Sequence, residues 1–540
     1  MKFIRLMLAE AGLREWRLVG SIAGAGGAMA LMMTIVNSVA DLKSDSTIDW
    51  WQFWLFALSA VAIVSFEQYA ANLTTELSER MLERTRLRIA DLVRTSELDG
   101  LEQVGAVRIY DTIARETTIV SQSAALIIYS LTSGVALVLA IAYIAWLSLL
   151  VFAVIGVLLA AWVYFYTFSQ RDSRHALIAA DTAQGRFFEL MSHLLYGFKE
   201  VKLHKGRGDD LEKVHLAEAS REAERTQVIA GRRLNNGMVP SLAIFYVILG
   251  SAVFILPPHL EDARLSMKVV YMVIFLFTTV QTVSRTLPVL AKTNLALDNL
   301  DHLEKNLLKA AKDRPSTVAP PAGFSSILLD GVVYQHRAPD GSVAFTLGPC
   351  DLSIAPGETI FFVGGNGSGK STLMRVLSGL YPLAAGAMLW DGDLVDEQSV
   401  DRYRNLFSAV YADFHLFDRL YGMEDVDPER VRALLQDVGL ADKVGYVDGR
   451  FSTVALSTGQ RKRLAFVVAL IEDRPVYLLD ELSADQDPGF RRRYYEEFLP
   501  SLKARGKTLI VVSHDDRYFG LADRVITMEH GRFERAAVAQ

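Results

Sequence analysis

The chain of 540 residues contains one cysteine, Cys350. A lone thiol excludes an internal disulfide framework and any cysteine-rich metal site, and its place in an apolar, strand-like stretch predicts a small core residue. Basic residues are also in short supply: 56 Lys and Arg stand against 62 Asp and Glu, a formal net charge of −6. Recognition of nucleic-acid phosphates needs a basic face, so no nucleic-acid partner is expected. A cleavable signal peptide is not expected either, because the first apolar run, 18–40, starts late and is too long for one. What abounds is apolar residue, 51% of the total, with a mean hydropathy of +0.22. At this length such a composition predicts more than one domain, one of them in a membrane.

Six apolar runs, near 18–40, 50–71, 120–143, 145–167, 238–256 and 269–289, are each long enough to cross a bilayer core. Lys2, Arg5, Arg14 and Arg17 precede the first, which places the N-terminus in the cytoplasm, and six crossings return the C-terminus to the same side. The outer loops with Asp41, Lys43, Asp45 and Asp49, and with Glu261, Asp262 and Arg264, are not notably basic. By contrast, 76–118 and 169–237 are long, helical in pattern and rich in Arg and Lys, as cytoplasmic segments should be. Asn37, Glu67, Gln68, Gln281 and Arg285 are candidates to line a path through the membrane, since polar groups are costly in lipid. Glu67 and Arg285 fall toward inner helix ends, where reaching out to water explains them equally well.

The helical pattern fades after Leu307, and Pro315-Ser316-Thr317-Val318-Ala319-Pro320-Pro321-Ala322-Gly323 reads as a stiff, polar boundary. Residues 1–306, 307–324 and 325–540 are therefore expected to form a membrane domain, a linker and a second domain. In the latter, Gly364-Gly365-Asn366-Gly367-Ser368-Gly369-Lys370-Ser371 follows a strand-like run and precedes a helix-like one opening at Thr372. That is where a phosphate-binding loop must sit: glycines let the backbone aim N–H groups at phosphate oxygens, and the helix adds the positive end of its dipole. Lys370 would reach the β- and γ-phosphates, and the Ser371 hydroxyl would bind Mg²⁺. Val476-Tyr477-Leu478-Leu479-Asp480-Glu481 is a hydrophobic strand ending in two carboxylates. Asp480 suits Mg²⁺, held through water, and Glu481 suits a base for the attacking water.

Between these stretches, Leu456-Ser457-Thr458-Gly459-Gln460-Arg461-Lys462-Arg463-Leu464-Ala465 resembles the L-S-G-G-Q signature of ABC ATPases, with Thr458 in place of the first glycine. Asp487, in Ser483-Ala484-Asp485-Gln486-Asp487-Pro488, matches that family's D-loop, and His514 matches its switch histidine. Six helices running on into the cytoplasm resemble the exporter type of ABC half-transporter. The fold class expected is thus an all-α six-helix transmembrane domain followed by an α/β P-loop ABC ATPase domain. The resemblance implies ATP and Mg²⁺ as cofactors, with Lys370, Glu481 and His514 catalytic. It implies an antiparallel subdomain, strands 327–334 and 344–354, with an aromatic ring on adenine. His336 holds that position by spacing, and Tyr334 is preferred for its larger face that is never protonated, unless it packs in the sheet. The glutamine of the family's Q-loop is replaced by Ala412, and Asp413 beside it is a candidate to accept a metal-bound water.

The family's inner segments end in short helices that dock on the ATPase; 96–105 and 189–197 are the candidates. Because each phosphate loop in the family needs another copy's signature segment, a homodimer with composite ATP sites is implied. The signature, D-loop and switch segments, with Ala412-Asp413-Phe414-His415-Leu416-Phe417, look like the bacterial branch that exports cyclic peptides and peptide siderophores of the pyoverdine type. This implies a bacterial inner membrane protein with both termini cytoplasmic and a small peptide-like substrate. No N-terminal protease module precedes the helices, so leader-peptide cleavage is not expected. A lipid or multidrug exporter would share every motif, and an ATP-gated regulator would hydrolyse ATP without moving a substrate.

Overall fold

The computed structural model describes residues 2–11, 15–39, 49–255, 263–311, 321–338, 341–423 and 425–534. Asp41, Lys43, Asp45, Glu261 and Asp262 of the outer loops, the side chain of Arg264 and linker residues 312–320 lie outside the described residues.

The Leu-, Ala- and Ile-rich first half folds into helices, as long aliphatic runs without backbone polar partners must. They are α1 (Lys2–Ala11), α2 (Glu15–Val39), α3 (Trp50–Thr95), α4 (Leu98–Val104), α5 (Ala106–Leu147), α6 (Leu149–Tyr196), α7 (Phe198–Leu203), α8 (Lys205–Asp210), α9 (Ala217–Gly250) and α10 (Ala263–Ala310). Packing divides the chain into two compact units: Met1–Arg88 with Tyr110–Leu303, and Ile89–Ile109 with Glu304–Gln540.

In the first unit, Leu77 and Leu82 of α3, Val120, Ala124 and Ile128 of α5, and Leu297 of α10 bury a common core. The amphipathic α1 seals it with Phe3 and Met7, and Lys2 pairs with Asp298 at 2.8 Å and Asp301 at 2.5 Å. Among the described residues, four helices, α2, α3, α5 and α10, are long and apolar enough to cross a membrane. Within the described residues, α6 carries the apolar piece Leu149–Ala161, and the end of α9 with the residues after it carries Phe245–Ile255, at the places of the other two expected crossings. The run expected over 145–167 is in fact divided at Ser148, whose hydroxyl accepts from the Val151 N–H at 3.4 Å and caps α6. Trp50, Trp51 and Trp54 are exposed at the start of α3, where an aromatic girdle meets a membrane boundary.

The second unit adds, in order, β1 (Ile327–Arg337), β2 (Val343–Ile354), β3 (Thr359–Val363), α11 (Lys370–Leu377), β4 (Ala385–Trp390), β5 (Asp393–Leu394), α12 (Val400–Arg404), β6 (Phe407–Val410), α13 (Pro428–Asp437), β7 (Tyr446–Val447), β8 (Arg450–Phe451), α14 (Thr458–Glu472), β9 (Val476–Asp480), α15 (Pro488–Arg493), α16 (Leu499–Ala504), β10 (Thr508–Val512), β11 (Arg524–Glu529) and β12 (Arg532–Phe533). Strands β2-β1-β4-β5 form an antiparallel sheet, and Cys350 is fully buried in β2. The order β12-β11-β3-β10-β9-β6 makes a second sheet, parallel but for β12.

Strand alternation sorts that sheet's side chains between two cores. Ile360, Phe362, Leu478, Ile510 and Val512 share one with Leu373, Met374, Val376 and Leu377 of α11. Phe361, Tyr477, Leu479, Leu509 and Val511 share the other with Leu464, Val467 and Leu470 of α14. Register then positions the site. Val512 lies opposite both Phe362 and Asp480, so β3, β9 and β10 end level and release their following residues at one edge.

Helix α4 belongs to this second unit, as the expectation for 96–105 has it. Leu98 packs on the core of β3 and α11, and the Glu97 N–H donates to the Ala310 carbonyl at 3.0 Å. The approach is close enough that a Cβ on Gly100 would stand 2.5 Å from the Cβ of Ala310. The second candidate, 189–197, is corrected: it is the last turns of α6, closed by the Gly197 N–H bonding to His193 O, and the separate short helices there are α7 and α8. Gly100→Val should therefore loosen α4 at a cost of about 1–3 kcal/mol. Limited proteolysis should cut faster between α3 and α5 in that variant; unchanged protection would show that the contact is not needed.

Candidate nucleotide site

The loop after β3 has glycine where geometry demands it. Gly364 has φ +144°, and a Cβ there would stand 2.2 Å from the Met528 carbonyl oxygen; Gly369, at φ +102°, opens α11 in the left-handed region. Asn366, Gly367 and Ser368 complete the curve. Lys370, 6% exposed, turns its ammonium back into the loop, donating to the carbonyls of Gly364 and Gly365 at 2.9 Å each and to the Ser368 hydroxyl at 3.4 Å. Burial lowers its pKa, against the pull of the Glu481 and Asp480 carboxylates.

Asp480, 1% exposed at the end of β9, has no hydrogen-bond partner of good geometry for either carboxylate oxygen among the described residues. Burial raises its pKa; the Ser371 hydroxyl and Ala412 N–H offset part of that, and Glu481 adds to it. A buried carboxylate with unspent acceptors beside a hydroxyl fits a hard divalent cation. Among the described residues no group of three or more His, Cys, Asp or Glu gathers to hold a metal. Ser371 and Asp480 would thus share a cation with phosphate oxygens and water. When bound, such an ion neutralises charge on the phosphates.

The next residue, Glu481, adopts φ +51°, a left-handed conformation uncommon for a residue with a side chain. Two anchors hold it there: its N–H donates to the Val512 carbonyl at 3.3 Å, and Lys462 of α14 donates to its carbonyl at 3.0 Å. Its Oε1 lies 3.2 Å from His514 Nε2, which follows β10. A carboxylate so oriented can take a proton from water, with the imidazole fixing its direction. Glu481, Lys370, Ser371, Thr372 and Asn366 line a cavity of about 620 Å³ together with Arg375, Tyr381, Glu102, Tyr334, His336 and Phe345.

The signature segment lies elsewhere. Ser457 caps α14 in a reciprocal box with Gln460, and Thr458 is the helix's first residue. Gly459 is required by contact, since a Cβ would stand 2.6 Å from the Asp485 carbonyl oxygen, and Gln486 donates to the Gly459 carbonyl at 2.9 Å. Asp487 caps α15, accepting from the Phe490 N–H at 2.9 Å, and pairs with Arg463; these bonds lower its pKa, the Phe490 N–H most. None of Ser457, Thr458, Gly459, Gln460 or Asp487 lines the cavity of the phosphate loop.

Two expectations are revised. Tyr334 is 2% exposed and stacked on Tyr381 at 4.5 Å and 4°, with its hydroxyl donating to Asp99 at 3.3 Å. Burial pushes its phenol well above the usual range. Both Tyr334 and His336 line the cavity, but a ring packed this tightly presents little face to a base, so the preference for Tyr334 gives way to the half-buried His336. Asp413 does not line the cavity; it pairs with Arg375 at 2.6 Å, which is a different use of its carboxylate from ligating a metal-bound water. Sequence reasoning missed Lys462, Arg375, Tyr381, Phe345 and Glu102 as parts of the site. Lys462 lay in the signature stretch already, whereas nothing in local spacing brings Glu102 to α11.

The ABC transporter family matches residues 347–484. The chain is 33% identical over 494 residues to the ATP-binding protein SyrD of Pseudomonas syringae pv. syringae, covering 89% of this chain and 87% of that protein. It is 33% identical over 223 residues to an ATP-dependent lipid A-core flippase of Ralstonia nicotianae, covering 38% of this chain and 37% of the flippase. The structure of a bacterial Atm1-family ABC exporter with ATP bound superposes with a TM-score of 0.79 at 17% identity, covering 96% of this chain and 94% of that one.

Replacing Glu481 by Gln should slow ATP hydrolysis by about 10²- to 10⁴-fold while binding of a fluorescent ATP analogue persists. Turnover near that of the native protein would remove Glu481 from the chemistry. The native Asp480 carboxyl keeps its proton to higher pH than an unfolded one, so acidification stabilises the protonated site and expels a cation. Mg²⁺ titrations at stepped pH, with ATP present, should show affinity falling on acidification with a midpoint above the ordinary aspartate value. Asp480→Asn should bind more weakly and flatten the profile.

Proposed function

The chain belongs to the ABC exporters, ATPases that couple hydrolysis to transport across a membrane, and on that premise we propose that it works as a homodimer exporting a small peptide-like compound. The observation carrying the dimer is the separation, within one chain, of the phosphate-loop cavity from Ser457, Thr458, Gly459, Gln460 and Asp487. A second copy would bring those residues onto the exposed side of the nucleotide. Lys370, Ser371, Thr372 and the loop N–H groups would hold the phosphates, and Ser371 with Asp480 would hold Mg²⁺. Glu481 would take the proton of the attacking water as the bond from the γ-phosphorus to the ADP oxygen breaks, with His514 keeping the carboxylate aimed. Closing and reopening of the two ATPase halves would swing the membrane helices between inward and outward arrangements. The many Arg and Lys residues of 76–118 and 169–237, beside outer loops that are not notably basic, support a bacterial inner membrane protein with both termini in the cytoplasm.

The peptide-like class rests on the motif set around Asp413, Ser457, Asp487 and His514, together with a likeness to SyrD that runs along most of the chain. The likeness to a lipid A-core flippase favours lipid as a second reading, but extends over 38% of the chain. Untargeted comparison of compounds secreted by cells with the native and the Glu481→Gln protein should show loss of a peptide-like species in the latter. Reconstituted vesicles should then accumulate that species on addition of ATP and leave labelled lipid unmoved. An unchanged secreted profile, or ATP-driven lipid transfer alone, would contradict the peptide reading.

A further inference from the structure

Beside the phosphate loop, one turn along α11, lies a charged cluster to which the hydrolytic steps above assign no role. Arg375 stands on α11 four residues after Ser371, on the same helix face. Its Nη2 donates to Asp413 at 2.6 Å; its Nη1 donates to the Tyr381 hydroxyl at 2.9 Å and lies 3.9 Å from a Glu102 oxygen. The Tyr381 hydroxyl donates onward to Glu102 at 3.0 Å, with the guanidinium 5.6 Å from the centre of the tyrosine ring. Glu102 belongs to α4, and Asp413 follows β6 where the family's glutamine is replaced.

One cation is therefore shared between two carboxylates on different segments. The Arg375 side chain is 20% exposed and that of Asp413 68% exposed. Burial alone would depress the guanidinium pKa, but Tyr381 and Asp413 more than reverse this, so it stays charged. The guanidinium holds Asp413 directly and Glu102 by charge and through the Tyr381 hydroxyl, so a change at either carboxylate shifts the other's share. Because α11 is a short rigid helix starting at Lys370, anything that moves its first turn moves Arg375 as well.

We propose that Arg375 is a positioning residue linking the nucleotide site to α4, its guanidinium divided between Asp413 and Glu102 so that the placement of α4 follows the occupancy of the phosphate loop. The inference rests on coupling of hydrolysis to transport and on no particular substrate. Amide exchange over Leu98–Val104 tests it in full-length Glu481→Gln protein in lipid nanodiscs, with and without ATP. ATP should slow that exchange. Adding Arg375→Ala should abolish the ATP-dependent difference even at ATP concentrations that saturate a fluorescent ATP analogue in that variant, and Arg375→Lys, with a single point charge, should restore part of it. Asp413→Asn, at an exposed site that folding does not need, should shrink the difference and decides the matter if Arg375→Ala does not fold. A full ATP-dependent difference in both variants would overturn the proposal and leave the exporter reading intact. So would exchange raised equally with and without ATP, the mark of a merely structural role. No response at α4 with Arg375 present would overturn the proposal and the coupled reading of α4 together.

Discussion

Three parallel strands ending at one level are what the site depends on. Because Phe362 and Asp480 both lie opposite Val512, the chain leaves β3, β9 and β10 at a common edge. The phosphate loop, the Asp480-Glu481 pair and His514 come from stretches far apart in sequence, and only this register brings them together. The alternation of Ile360, Phe361 and Phe362 between the two cores fixes the register in turn, since a slip by one residue would exchange their contents.

Electrostatic tension is concentrated at the same edge. Lys370 and Asp480 are both buried, of opposite sign, and each is shifted toward neutrality by its burial. The lysine meets part of its need from the loop's own carbonyls, while the aspartate has acceptors to spare. Phosphates and a divalent cation would relieve both at once. Glu481 adds backbone strain, held by Lys462 and the Val512 carbonyl, and its carboxylate is presented to the cavity by that strain rather than by a flexible loop.

Much of this was legible in the sequence because the chemistry is local. A glycine-rich loop between an apolar strand and a helix, and a strand closing on two acids, define themselves within a few residues, and Ser457 with Gln460 forms the cap that its spacing implies. What was not legible depends on distant packing. The large ring of Tyr334 suggests adenine, yet in the fold that ring is stacked on Tyr381 and its hydroxyl is bonded to Asp99 of α4. Asp413 beside the missing glutamine suggested a metal role, but Arg375 from another element claims its carboxylate. The run over 145–167 is continuous in hydropathy, and only the Ser148 cap reveals a break.

In the proposed dimer two copies meet at each nucleotide, phosphate loop against signature segment. With Cys350 replaced by Ala, Asn366→Cys and Thr458→Cys in one Glu481→Gln chain provide a thiol on each face of that seam. Oxidation should yield a covalent dimer when ATP is present and little without it. A chain that stays a single subunit in lipid at saturating ATP, with no cross-link between these positions, would contradict the account.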